Sequence, residues 1–138
     1  MKACVLYSSR MGNTRRLAEA ISELLKAPVL NIIDVPESYA LQNYDLLVIG
    51  TPTTGLRPAP EVHSFVKHLP EGVGKKTILF CTYAIRKGGT LKVLEKELET
   101  KGYTNILNVS KRGLKLSKGD FAEVLDEINR AIVEAKIA

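Results

Sequence analysis

The chain has no tryptophan, only two cysteines and two methionines, and aromatic residues make up 6% of it. Two cysteines in 138 residues exclude a disulfide scaffold. Both stand inside apolar strand-like runs. Cys4 reads as a small buried hydrophobe, and Cys81, close to the end of its run, as either a core residue or a neighbour of a ligand loop. No apolar run approaches the roughly 20 residues of a membrane helix, so no membrane span is expected. The opening Met1-Lys2-Ala3-Cys4-Val5-Leu6-Tyr7 is too short for a signal peptide and lacks a small-residue cleavage pattern, which points to the cytoplasm. His63 and His68 are too far apart to share a helix face and have no acidic or thiol residue to complete a metal site. They are expected on the surface, with no metal.

What is present is an ordinary globular composition, 45% hydrophobic and 25% charged, in a chain of the right size for one domain spanning 1–138. Lysine and arginine outnumber acidic residues 20 to 15, for a net charge of +5 and a pI near 9.2. Such a balance suits nucleic acid, an acidic partner or an anionic small molecule, and position decides among them. Arg10, Arg15, Arg16, Arg57, Arg86, Lys87, Lys111 and Arg112 all fall in or just after loops that follow predicted strands. They gather the positive charge at one end of the sheet, around a ligand mouth. The expected partner is therefore acidic or anionic rather than nucleic acid.

Short apolar runs alternate with helical periods throughout, the pattern of a parallel sheet with covering helices. Five units are predicted: strands over 2–7, 29–33, 45–50, 77–82 and 105–109, and helices from Thr14 to about Lys26, from Pro60, from Thr90 as N-cap, and after Ser117. Ser117 and Asp120 form a shortened capping box before the last helix. The segment from Thr51 to Pro60 reads as a long polar loop. The first, third and fourth strands are continuously apolar, whereas the second and fifth carry Asn31 and Asn108 and suit the edges. That gives an open five-stranded parallel α/β sheet of order 2-1-3-4-5 with helices on both faces and a switch point between strands one and three.

At that switch point stands Ser8-Ser9-Arg10-Met11-Gly12-Asn13-Thr14, a glycine turn between a strand and an amphipathic helix. Its hydroxyls, its main-chain N–H groups and the positive helix end form an anion site that suits a phosphate monoester. One glycine and no lysine exclude both the dinucleotide fingerprint and the triphosphate loop. Gly72-Val73-Gly74-Lys75-Lys76-Thr77 precedes a strand and reads as a turn. A phosphoacceptor receiver domain would need acidic residues where this chain has Ser8, Ser9 and Thr51, and no nucleophile–base spacing suggests a hydrolase.

The stretch YSSRMGNTRRLAEAI resembles the phosphate loop and first helix of the flavodoxin family, and the likeness extends over the chain in element order and loop position. The resemblance implies bound FMN, with the phosphate held by Ser8, Ser9, Gly12, Asn13 and Thr14. Arg10 and Met11 depart from the usual glycine and threonine, and the Arg10 guanidinium offsets the lost hydroxyl with a charge-assisted contact. Thr51, Pro52, Thr53, Thr54 and Gly55 resemble the second flavin loop, whose backbone switches partners with the redox state of the ring. Thr82, Tyr83, Ala84, Gly88 and Gly89 resemble the third, with Tyr83 the aromatic available to cover the ring; Ile85 or Leu56 takes that place if Tyr83 points elsewhere. The function implied is non-covalent FMN binding and electron transfer to a partner protein or small acceptor. Two alternatives stand beside it: an FMN-dependent NAD(P)H or quinone-type reductase using Arg57, Arg86, Lys87 or Arg112 for an anionic substrate, and an interaction module without flavin.

Overall fold

Along each central strand, side chains alternate between two apolar layers, and that alternation builds the protein. The computed structural model describes residues 1–36 and 39–135. Its elements are β1 (Ala3–Tyr7), α1 (Asn13–Leu25), β2 (Val29–Asn31), β3 (Leu46–Thr54), β4 (Arg57–Pro58), α2 (Pro60–Lys67), β5 (Lys76–Tyr83), α3 (Thr90–Thr100), β6 (Thr104–Arg112) and α4 (Ala122–Glu134). Cys4, Leu6, Leu47, Ile49, Leu79 and Cys81 face α2 and α3, which contribute Val62, Val66, Leu91, Leu94 and Leu98. Val5, Leu46, Val48, Ile78 and Phe80 face the opposite layer, with Leu17 and Ile21 of α1 and Val124, Ile128 and Ile132 of α4. Period-two strands and period-3.6 helices thus meet in two buried layers. Each fully buried Leu or Ile contributes roughly 1.5–3 kcal/mol.

The sheet order is β2-β1-β3-β5-β6, all parallel along that path. This is the expected order, with Asn31 and Asn108 on the two edge strands. A sixth strand was not expected. The segment from Thr51 is no open loop, because β3 runs on to Thr54 and turns through Gly55 and Leu56 into the antiparallel β4, with Thr53 opposite Pro58 and Thr54 opposite Arg57. Both turn residues have positive φ, 56° and 66°, as a two-residue hairpin turn twisted to match its strands requires. Thr51 anchors the base of the hairpin by accepting a hydrogen bond from the Ala59 N–H at 2.9 Å.

Other boundaries shift. β2 stops at Asn31, whose side chain accepts from the Ile33 N–H and turns the chain into a 3-10 turn at Ile32–Asp34. β6 extends from the predicted 105–109 to Thr104–Arg112 because β5 pairs with it as far as Tyr83–Arg112. Gly89, not Thr90, precedes α3 as its cap; Thr90 is the first helical residue, and its hydroxyl donates to the Lys87 carbonyl at 2.5 Å. The Ser117–Asp120 capping box is present, on a 3-10 turn at Lys118–Phe121 that leads into α4. Where β3 passes β5, Gly50 lies against the Phe80 ring, and a Cβ at residue 50 would fall 2.0 Å from it.

Candidate functional site

The ends of β1, β3, β5 and β6 open on one side of the sheet, and their loops are tied into a ring. Asn13, the first residue of α1, donates through its side-chain amide to the Leu114 carbonyl at 3.1 Å and, more weakly, to that of Gly113. Its side-chain oxygen accepts from the Leu116 N–H and from Arg16, both at 2.8 Å. The Gly113 N–H donates to the Tyr83 carbonyl at 3.0 Å, and Arg112 to the Ala84 carbonyl at 3.1 Å. The hairpin tip adjoins the β5–α3 loop, since a Cβ at Gly88 would lie 2.6 Å from that of Leu56. Arg10 and Glu61 close the ring through a two-pronged ion pair, one prong of which spans 2.8 Å.

Within the ring lies a cleft of about 160 Å³. Arg10, Met11, Asn13 and Thr14 line it from the first loop, Pro52, Thr53 and Thr54 from the hairpin, and Thr82, Tyr83 and Ala84 from the end of β5. Of the other expected site residues, Ser8, Thr51, Gly12, Gly55, Gly88 and Gly89 shape the loops without lining the cleft. Ser9 secures the helix start. Gly12 precedes α1 with a φ of +93° and has no side chain to cap it, so the Ser9 hydroxyl accepts instead from the Gly12 and Arg15 N–H groups at 3.1 and 3.3 Å. A helix leaves its first N–H groups without intrahelical partners, so those of Asn13 and Thr14 remain for an anion. No acidic residue occupies the first turn of α1 to neutralise its positive end. Thr14 is buried, its hydroxyl 2.8 Å from that of Thr82, which joins the phosphate-type loop to β5 beneath the cleft.

Two expectations change. The Arg10 guanidinium keeps only a long 3.5 Å contact with the Ser8 hydroxyl of its own loop and pairs chiefly with Glu61 in the first turn of α2. The Ser8 hydroxyl also donates to the Glu61 carboxylate, at 2.5 Å. These two partners, Arg10 foremost, pull the Glu61 carboxyl down to about pKa 2. Cys81, near the end of β5, is fully buried in the α2/α3 layer with its thiol hydrogen-bonded to Thr53 of the cleft wall, and burial pushes that thiol up to about 11. His68 is exposed on the surface, whereas His63 is half-buried with a ring nitrogen 3.4 Å from a Glu97 carboxylate oxygen. Sequence reasoning missed Glu61, Gly113 and Leu114. Glu61 opens a helix at an ordinary capping position, and Gly113 and Leu114 follow a strand predicted to end at 109, so nothing local marks them.

An open parallel sheet with a glycine turn and an uncompensated helix start at its switch point, facing a threonine-rich hairpin and an aromatic strand end, has the architecture of the doubly wound class that binds nucleotide-type cofactors. A family model described as a flavodoxin domain matches residues 4–121. The chain belongs to the flavodoxin family. That membership makes FMN its cofactor and electron transfer its work. Among solved structures, a flavodoxin from the domain Archaea is 23% identical, with a TM-score of 0.78 and 99% of each chain covered. Oxidised flavodoxin 1 from Bacillus cereus is 23% identical at TM-score 0.78, covering 97% of this chain and 98% of its own. A flavoprotein from Lactobacillus acidophilus, solved in complex with FMN, is 21% identical at TM-score 0.68, covering 91% and 97%. Among the described residues no helix is long and apolar enough to cross a membrane.

Proposed function

We propose that this chain is an electron carrier whose FMN lies in the cleft among the four loops, its phosphate on the open end of α1. The observation that carries the reading is the start of α1: a positive-φ glycine, Ser9 as the cap accepting from Gly12 and Arg15, and the Asn13 and Thr14 N–H groups left without intrahelical partners. The residues present fit the cofactor. Ser9 and Thr14 with the main chain hold a dianionic phosphate, and the cations Arg15 and Arg16 add attraction without contact. Thr53 and Thr54 with the hairpin backbone supply polar groups for the ring edge, and Tyr83 supplies a flat face. Bound FMN supplies reversible uptake and release of one or two electrons, while the protein positions it and sets its electrostatics. The partner is acidic or anionic, to complement a chain of net charge +5 whose loops around the cleft carry Arg57, Arg86, Lys87, Lys111 and Arg112.

Titration of the flavin-free protein with FMN and with riboflavin tests the site. The expected result is saturable quenching of flavin fluorescence, with FMN bound at least about tenfold more tightly because only FMN offers a phosphate to α1. Thr14→Ala should narrow that gap. Equal affinity for the two flavins would remove the phosphate from this loop. Slow reduction by free NADPH, relative to a protein electron donor, is the expected mark of a carrier rather than a reductase.

A further inference from the structure

Among the described residues one arginine lines the cleft, Arg10, and it is already paired. The other two arginines near the first loop are engaged along α1. Arg16 donates to the Leu116 carbonyl at 2.7 Å and to the Asn13 side-chain oxygen at 2.8 Å, and Arg15 lies 3.7 Å from Glu19, one turn further on. Arg10 instead reaches across to α2, where its two terminal nitrogens grip the two oxygens of the Glu61 carboxylate. A guanidinium takes two oxygens of a phosphate with the same planar fork.

The two partners are unequally placed to separate. Without Arg10, Glu61 keeps the Ser8 hydroxyl at 2.5 Å, a bond from its own backbone N–H and the positive first turn of α2. Arg10 keeps a single long contact, 3.5 Å to the Ser8 hydroxyl oxygen. Its side chain is 47% exposed, and an ion pair so open to water is a weak hold on either charge. A phosphate dianion at the start of α1 offers two charges against one, on the loop that carries Arg10 itself.

We infer that Glu61 is an internal stand-in for the flavin phosphate, parking the Arg10 guanidinium at the rim of the cleft until a phosphate dianion on α1 takes it over. Arg10 is then a specificity-determining residue for the phosphorylated flavin, and Glu61 sets how tightly that flavin is held. The inference rests on the phosphate placement proposed above and adds a competition within it. A pair that must open when ligand binds subtracts its own strength from the affinity. Removal of the carboxylate should therefore tighten FMN and leave riboflavin, which has no phosphate, where it was.

Fluorescence titration of the flavin-free protein and its variants with FMN and with riboflavin tests the competition. Glu61→Gln should tighten FMN about fivefold, the worth of an exposed pair, and Arg10→Gln should loosen it about tenfold. Neither should move riboflavin by more than about twofold, which also shows that both variants fold. Added to Arg10→Gln, Glu61→Gln should change FMN affinity less than about twofold, because the carboxylate acts through the guanidinium it occupies. Four results would overturn the proposal. Weaker FMN binding by Glu61→Gln would make Glu61 the support that aims Arg10, and unchanged binding would make the pair a permanent tie between loop and helix. A full fivefold gain in the Arg10→Gln background would make Glu61 a plain repelling charge, and an equal shift of riboflavin would place its effect away from the phosphate. Failure of the underlying reading looks different: the parent protein would bind the two flavins equally, or neither, before any substitution.

Discussion

Two residues determine much of what happens beneath and beside the cleft. Gly50 is the point where β3 passes close enough to β5 for the Phe80 ring to lie on its Cα, and a methyl group there would overlap ring atoms at 2.0 to 2.6 Å. Phe80 is fully buried in the α1/α4 layer and has no space to retreat. Gly50→Ala should therefore destabilise the fold by roughly 1–3 kcal/mol through overpacking. In urea denaturation, Gly50→Ala combined with Phe80→Leu should cost about 1 kcal/mol less than the two changes added, because the smaller side chain relieves the overlap. Simple additivity would show that the ring is not what constrains Gly50. Glu61 supplies the second residue-scale test. Its carboxyl is held at about 2 against an ordinary 4.5, by Arg10 first and Ser8 next. A lowered folded value means that the pair stabilises fully above about pH 4.5 and is lost as the pH falls through about 2. The Arg10 side chain is 47% exposed, so screening limits the contribution to about 1 kcal/mol. Glu61→Gln should then be about 1 kcal/mol less stable than the parent at pH 7 and equal to it near pH 2. An equal deficit at both pH values would mean that packing, not charge, holds Glu61.

Among the elements, α1 shows how a helix end can be tuned without touching the site. It stops at Lys26, which adopts the left-handed conformation with φ 52°, before Pro28 rules out continuation. A non-glycine residue there costs about 1–2 kcal/mol, against the roughly 0.5–1 kcal/mol of chain entropy that glycine loses on folding. Lys26→Gly should give a net gain of about 0.5 kcal/mol and raise the melting temperature by about 2 °C, with no change in FMN affinity. A lower melting temperature would locate a stabilising contact in the Lys26 side chain. The elements also show what a sequence discloses. Apolar runs and helical periods disclosed the five parallel strands, their order and the glycine turn between β1 and α1, because those signals are local. The β3–β4 hairpin was hidden in a Thr- and Pro-rich stretch that has no apolar alternation, and it exists because Thr51 and Ala59 meet across eight residues of chain. The last turn of β6 was hidden likewise, since its polar Ser110, Lys111 and Arg112 become strand only by pairing with Cys81, Thr82 and Tyr83. Glu61 was invisible for a third reason: its partner, Arg10, is 51 residues away.

The whole molecule is one sheet between two layers, and its cysteines report on whether that sheet opens as a unit. Cys4 on β1 and Cys81 on β5 are both fully buried and face the same α2/α3 layer, with β3 between them. Burial raises each thiol to about 11, so near pH 8 only about one molecule in a thousand carries a thiolate at either site. Neither thiol can meet a reagent until the layer over this face opens, and that layer includes Tyr39, Leu41 and Tyr44 as well as α2 and α3. Labelling with an aromatic disulfide at pH 8 should therefore modify both cysteines at one slow rate that tracks global unfolding, accelerating in urea with the same surface dependence as the equilibrium transition. Cys81 lies near the cleft end of its strand, which is what permits the opposite result. Rapid labelling of Cys81 with Cys4 protected would show that the β5 end and its loop open on their own. FMN would then be expected to slow that labelling.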